Sequence, residues 1–191
     1  TVIILSGLNA QISLTYKQHA LTPDQSNPMI ITEFQEPGNG GMNQKWDFGS
    51  LKFLKDFEGN VEDAVYSDYS THFPNSNVEL IEFKNRFYFN LSETKLEQTG
   101  YASQNGSVII KYDHPFVKMK YPFTYGDAYN GKFSGTYEVS NRVAKIDGDY
   151  TVESDGYGKL VLPNGQVIRN TLRVKETKTY DRVYENRTDR I

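Results

Sequence analysis

The chain has 191 residues, 37% hydrophobic and 24% charged, with 14 Tyr, 11 Phe, one Trp and no Cys. A formal charge of -3, with Lys and Arg interleaved among Asp and Glu, argues against a nucleic-acid partner, which needs a basic stripe to neutralise phosphates. The lack of Cys removes disulfides, thiol catalysis and Cys-ligated zinc, and the charged fraction argues against disorder.

The chain opens on Thr1. Val2-Ile3-Ile4-Leu5 followed by Leu8-Asn9-Ala10 resembles the tail of a secretory signal peptide, with cleavage after Ala10. An ordinary first β-strand is the other reading of the same residues. No run approaches the roughly 18 apolar residues of a membrane-spanning helix, so no transmembrane segment is expected.

From Gln11 onward, alternation recurs. Ile12, Leu14 and Tyr16 point one way, Ser13 and Thr15 the other. Met29 to Phe34 is a short apolar run, and Gln35 to Gly41 reads as a surface loop. Gln44 to Phe48 alternates around Trp46, which reads as a core residue packed between sheets. Leu51 to Phe57 fits a helix or a strand, and Ser92 to Gln98 could close one helical turn. Val78 to Phe83 and Phe87 to Leu91 flank a tight hairpin at Lys84-Asn85-Arg86. Val108 to Tyr112, Lys132 to Val139, Val143 to Ile146 and Asp149 to Glu153 follow, the last two separated by Asp147-Gly148. Asp155-Gly156 and Pro163-Asn164-Gly165 bracket another apolar run, and Ile168 to Thr177 alternates cleanly. Short strands spaced by turn signals predict an all-β fold, an antiparallel β-sandwich of jelly-roll or Ig type, with few or no helices. Tyr and Phe supply its core, because large rings suit a pleated, half-buried surface.

Several segments carry a family likeness. Asn43-Gln44-Lys45-Trp46-Asp47-Phe48, Phe123-Thr124-Tyr125-Gly126-Asp127, Phe133-Ser134-Gly135, Asp155 to Gly165 and Leu172-Arg173-Val174-Lys175 occur in this order, with Phe87 to Ser92 between the first two. This set resembles a group of secreted Bacteroidota proteins of unknown function, many of which end in a type IX secretion sorting domain. The likeness covers most of residues 11–180. It implies export, a secreted or outer-surface location, and removal of residues 1–10 as a signal-peptide remnant. It implies no catalytic residue. Residues 11–191 then form a single β-sandwich domain. Arg182 to Ile191 is polar and ends mid-pattern, which predicts a domain truncated at its C-terminus, with further domains of the same polypeptide beyond it.

The chemistry-bearing residues are sparse. His19, His72 and His114 are isolated, without the spacing of a histidine metal site. Calcium is the better metal expectation, because Asp127, Asp147, Asp149 and Asp155 supply oxygens near tight turns. Asp-Gly is also the ordinary hairpin dipeptide, so these residues read first as turn formers and no cofactor is expected, with calcium the alternative. No nucleophile-elbow motif is present, and Ser134-Gly135 reads as a strand bend. Tyr121, Tyr125, Asp127 and Tyr129 cluster in a Gly- and Pro-bearing loop, as a stacking platform for a glycan or as rings that plug one end of the sandwich. The expected role is a non-catalytic structural or interaction module of an exported, cell-surface-associated bacterial protein, glycan-binding or adhesive. A carbohydrate-active hydrolase with paired carboxylates is the alternative from another class.

Overall fold

A computed structural model of the chain describes residues 12–139, 142–184 and 187–191, so the signal-peptide reading of residues 1–10 lies outside the described residues. The fold is all-β and, apart from one parallel pairing, antiparallel, as its alternation predicts. Ten strands follow one another along a single sheet path, an eleventh joins from the side, and two more form a small separate sheet.

The path starts at β2 (Gln25–Thr32) and passes through β4 (Phe53–Asp63), β5 (Val78–Glu82), β6 (Asn85–Leu91) and β7 (Lys95–Ala102). It continues through β8 (Val108–Lys120), β10 (Ala128–Val139), β11 (Arg142–Val161), β12 (Val167–Tyr184) and β13 (Arg187–Arg190). β1 (Ser13–Leu14) pairs with β9 (Phe123–Thr124), and β3 (Gly41–Asp47) pairs with β11. Among the described residues, helix is confined to α1 (Tyr16–His19) and two 3-10 turns, Ala64–Tyr66 and Ser70–His72.

The long sheet becomes sandwich-like by forking. β8 pairs with β10 only over Val108 to His114, opposite Val139 to Ser134. Beyond His114, β8 stays with β7, from Phe116 opposite Gln98 to Lys120 opposite Lys95. The free half of β10, Ala128 to Phe133, stays with β11. The two leaves part at a bulge between Ser134 and Gly135. A Cβ on Gly135 would overlap the carbonyl oxygen of Lys111, so this corner requires glycine.

Rings fill the fork. Phe116 of one leaf meets Tyr150 of the other edge-to-face, with centroids 4.6 Å apart. Phe123, Phe133 and Val152 complete the buried cluster, with Leu14, Leu172 and Val174 packed around it. Lys178 lays its ammonium 3.8 Å from the Phe116 ring centroid, and burial lowers its pKa below the ordinary lysine value. Burial pushes the Tyr112 phenol, also at this cluster, up to about 12.

Several local expectations change. The strand through Ile12, Leu14 and Tyr16 stops at Leu14, and Tyr16 begins the helical turn, with its ring edge-on to Tyr121 at 6.2 Å. Leu51 to Phe57 leads into β4 rather than a helix. Ser92 forms a turn, its hydroxyl accepting from the Lys95 amide at 3.2 Å, before β7. Asp147-Gly148 and Asp155-Gly156 are not turns. They lie inside β11, a 20-residue strand with near-perfect alternation of burial, and neither glycine has a positive φ. Gly148 is needed for packing, since a Cβ there would strike Tyr180, Thr179 and Phe133. The hairpin expected at Lys84-Asn85-Arg86 turns one residue earlier, through Phe83 and Lys84 at φ 50 and 63.

Candidate functional site

The motif segments converge at one end of the second leaf. β11 pairs with β10 as far as Glu153; from Gly156 to Val161, β3 takes β10's place, in parallel. β3 comes so close that a Cβ on Gly158 would overlap the Gln44 carbonyl oxygen. Trp46 of β3 is 7% exposed, faces Gly156, and donates its indole N–H to the Asn39 carbonyl at 3.0 Å. Arg173 of β12 lies opposite Gly156. Its Nε sits 2.9 Å from Asp155 Oδ1 as an ion pair, and its Nη1 donates to the Gly38 carbonyl. The Arg173 side chain thereby ties the loop before β3 to the bulge of β11. Lys45 and the Gly49 amide hold the Asp47 carboxyl below its usual range.

The Phe123 to Asp127 segment joins the same corner. Asp127 accepts from both the amide and the hydroxyl of Thr124 at 2.8 Å. The Gly126 amide donates to the Ser154 carbonyl, and the Ser154 amide donates to the Asp127 carbonyl, each at 2.9 Å. Tyr125 meets Tyr157 edge-to-face at 5.1 Å. Four of the sequence segments are therefore one contact set.

The predicted loop residues do not share one surface. Tyr121 is buried among Val61, Val78, Phe89 and Leu96. Tyr129 is half-buried, donates its hydroxyl to the Val117 carbonyl at 3.3 Å, and packs its ring on Phe123 and Tyr150. Burial raises both phenols above the ordinary tyrosine value. Tyr125 is half-buried and Asp127 is exposed beside it in sequence. His114 Nδ1 lies 3.0 Å from Ser134 Oγ at the bulge. Among the described residues, no three His, Asp or Glu side chains are placed to hold a metal ion.

A second constellation is joined by no single sequence motif, although Tyr88 lies in the resembling segment Phe87 to Ser92. The connection between β4 and β5, residues 64–77, folds as a strap against the sheet. Ala64 and Phe73 are buried with Tyr88, Ala102 and Ile109, and Phe73 stacks on Tyr88 at 4.0 Å. Beneath the strap, Glu79 is 0% exposed. Its Oε1 accepts from Arg86 Nη1 and Tyr88 Oη at 2.7 Å and from Ser67 Oγ at 2.9 Å. Oε2 has no partner among the described residues. Burial, and then the bond to Glu79, raise the Tyr88 phenol. Sequence reasoning placed Arg86 at a hairpin and Tyr88 in a resembling segment but joined neither to Glu79 or Ser67, because those contacts are made across strands and from the strap rather than within one segment.

No protein-family model matches this chain, and neither a curated protein nor a solved structure matches it.

Proposed function

We propose that this chain is a non-catalytic structural or interaction module of an exported, cell-surface-associated bacterial protein, with glycan or adhesive binding as its activity. One observation carries the reading: the residues of the resembling segments serve the fold. Trp46 bonds Asn39, Arg173 holds Asp155 and Gly38, and Asp127 caps its own turn. Their convergence on one corner supports a shared architectural origin for the likeness, and with it the export that the likeness implies. Function then belongs to surfaces away from that corner.

The test has two arms. The protein, incubated with a panel of polysaccharides, is expected to bind without releasing reducing ends; sustained release overturns the non-catalytic reading. The full-length gene product, expressed in its host, is expected to be shaved from intact cells by added protease. Retention inside intact cells overturns the surface assignment.

A further inference from the structure

We propose that a depression of about 460 Å³ beside Tyr66 is a binding site for neutral saccharide, with Tyr66 as the stacking ring and Asp24, Gln25, Asn60 and Glu62 as hydroxyl partners. The proposal rests on the reading of the chain as an interaction module and names the site and ligand class.

Tyr66 is the first observation. Its side chain is 87% exposed although it sits on a firmly mounted turn. The residue two before it, Ala64, is 2% exposed, and the residue after it, Ser67, is bonded to Glu79 and Tyr88. Asp63 caps the turn by accepting from the Val65 amide at 3.0 Å. A large ring presented to solvent on an anchored mount loses little freedom on binding, which is how a stacking platform gains affinity.

The polar lining is the second. The side chains of Asp24, Gln25, Asn60 and Glu62 make no hydrogen bond or ion pair among the described residues, and all four line the depression. Asp24 is held in place by its backbone, at φ 64 with its amide donating to the Val61 carbonyl at 2.8 Å. Carboxylates accept from hydroxyl groups, and amides both donate and accept. A polyol ring offers hydroxyls of both kinds at its edge and C–H groups on its face. That matches carboxylates and amides beside an exposed ring.

Charge narrows the class. Asp24, Glu62 and Asp63 line the depression, and no described lining residue is Lys, Arg or His. Uronic acids, sialic acids, sulfated glycans and phosphates are repelled. The volume suits one or two sugar rings, within the usual range for small-ligand sites.

The experiment is a glycan array of immobilised neutral oligosaccharides (glucans, mannans, xylans, galactans) and acidic ones, probed with the wild-type protein, Tyr66→Ala, Asn60→Ala and Tyr125→Ala. Binding to a neutral class is expected. Tyr66→Ala should weaken it about tenfold or more, the effect of losing one stacked ring, with an unchanged melting temperature. Asn60→Ala should weaken it less, and Tyr125→Ala should leave it intact. Binding lost on Tyr125→Ala but kept on Tyr66→Ala overturns this site while leaving the glycan-binding reading standing. Binding only to acidic glycans, or to a lysine-rich peptide in place of sugar, overturns the ligand class. Absence of all glycan binding overturns both the site and the glycan part of the functional reading.

Discussion

The corner built by Trp46, Gly156, Gly158 and Arg173 and the strap over Glu79 do the same mechanical work by opposite means. Each fastens an irregular segment onto a sheet. The corner does so with residues written in compact segments: glycines that let β3 approach, an indole that covers Gly156, and an arginine that crosses the gap. The strap does so with a wholly buried carboxylate reached from two separate places in the chain, Ser67 of the strap and Arg86 and Tyr88 of β6. Local steric fit leaves a motif; a polar network assembled across strands leaves none. The strap is also the mount of Tyr66, so the quiet region is the one that presents a free ring.

The comparison breaks most visibly at the indole. Trp46→Ala removes a nearly buried ring over glycines that cannot fill the gap, and should destabilise by about 3–5 kcal/mol in denaturant unfolding. Trp46→Phe keeps an aromatic ring but loses the outer part of the indole and its N–H to Asn39, and should cost less, about 1–3 kcal/mol. Equal losses for both would mean that the corner is held by its hydrogen bond rather than by packing.

Arg86→Ala tests the strap. It leaves Glu79 buried with its charge uncompensated, and should cost about 2–4 kcal/mol, reduced from the fully buried case because Arg86 is partly exposed. Adding Glu79→Gln in the same chain removes the stranded charge and should recover a good part of that loss. Additive losses in this double-mutant cycle would show that the two side chains act independently.

Much of the fold is legible in the sequence because alternation reports which face of a strand is buried. β11 alternates buried and exposed residues along most of its length. β12, expected to alternate over Ile168 to Thr177, does not: Ile168 and its neighbours are exposed on both faces, and Thr171 to Val174 are all half-buried. Turns were harder. Pro163-Asn164-Gly165 is a true turn with Gly165 at φ 80. Asp147-Gly148 reads the same way but is interior strand, because its glycine makes room for Tyr180 and Phe133. Phe83-Lys84 turns without any glycine, at φ 50 and 63, with the Phe83 ring stacked on Phe57 at 3.9 Å. The tyrosines of the Tyr121 to Gly131 segment were visible as a cluster, but sequence does not say which rings turn inward. Tyr121 does, while Tyr66, with no neighbour to mark it, turns out.

The mildest perturbation is alkali, and it should separate strap from corner. Tyr88 donates to Glu79, and its pKa is raised, by burial first and then by that bond, above the 10.0 of an unfolded tyrosine. Above pH 10 the unfolded chain therefore releases a proton that the folded chain retains. The stability Tyr88 contributes is complete below pH 10 and drains away as pH climbs toward its folded value. Tyr112 adds to the global loss between 10 and about 12, on the order of 2 kcal/mol. Deprotonating Tyr88 also sets a phenolate against the buried carboxylate, a penalty the Trp46 corner does not share. Limited proteolysis across pH 9 to 12 should then cut within residues 64–77 before it cuts within 38–47. Simultaneous cleavage of both would mean that the strap and the corner come apart as one cooperative unit.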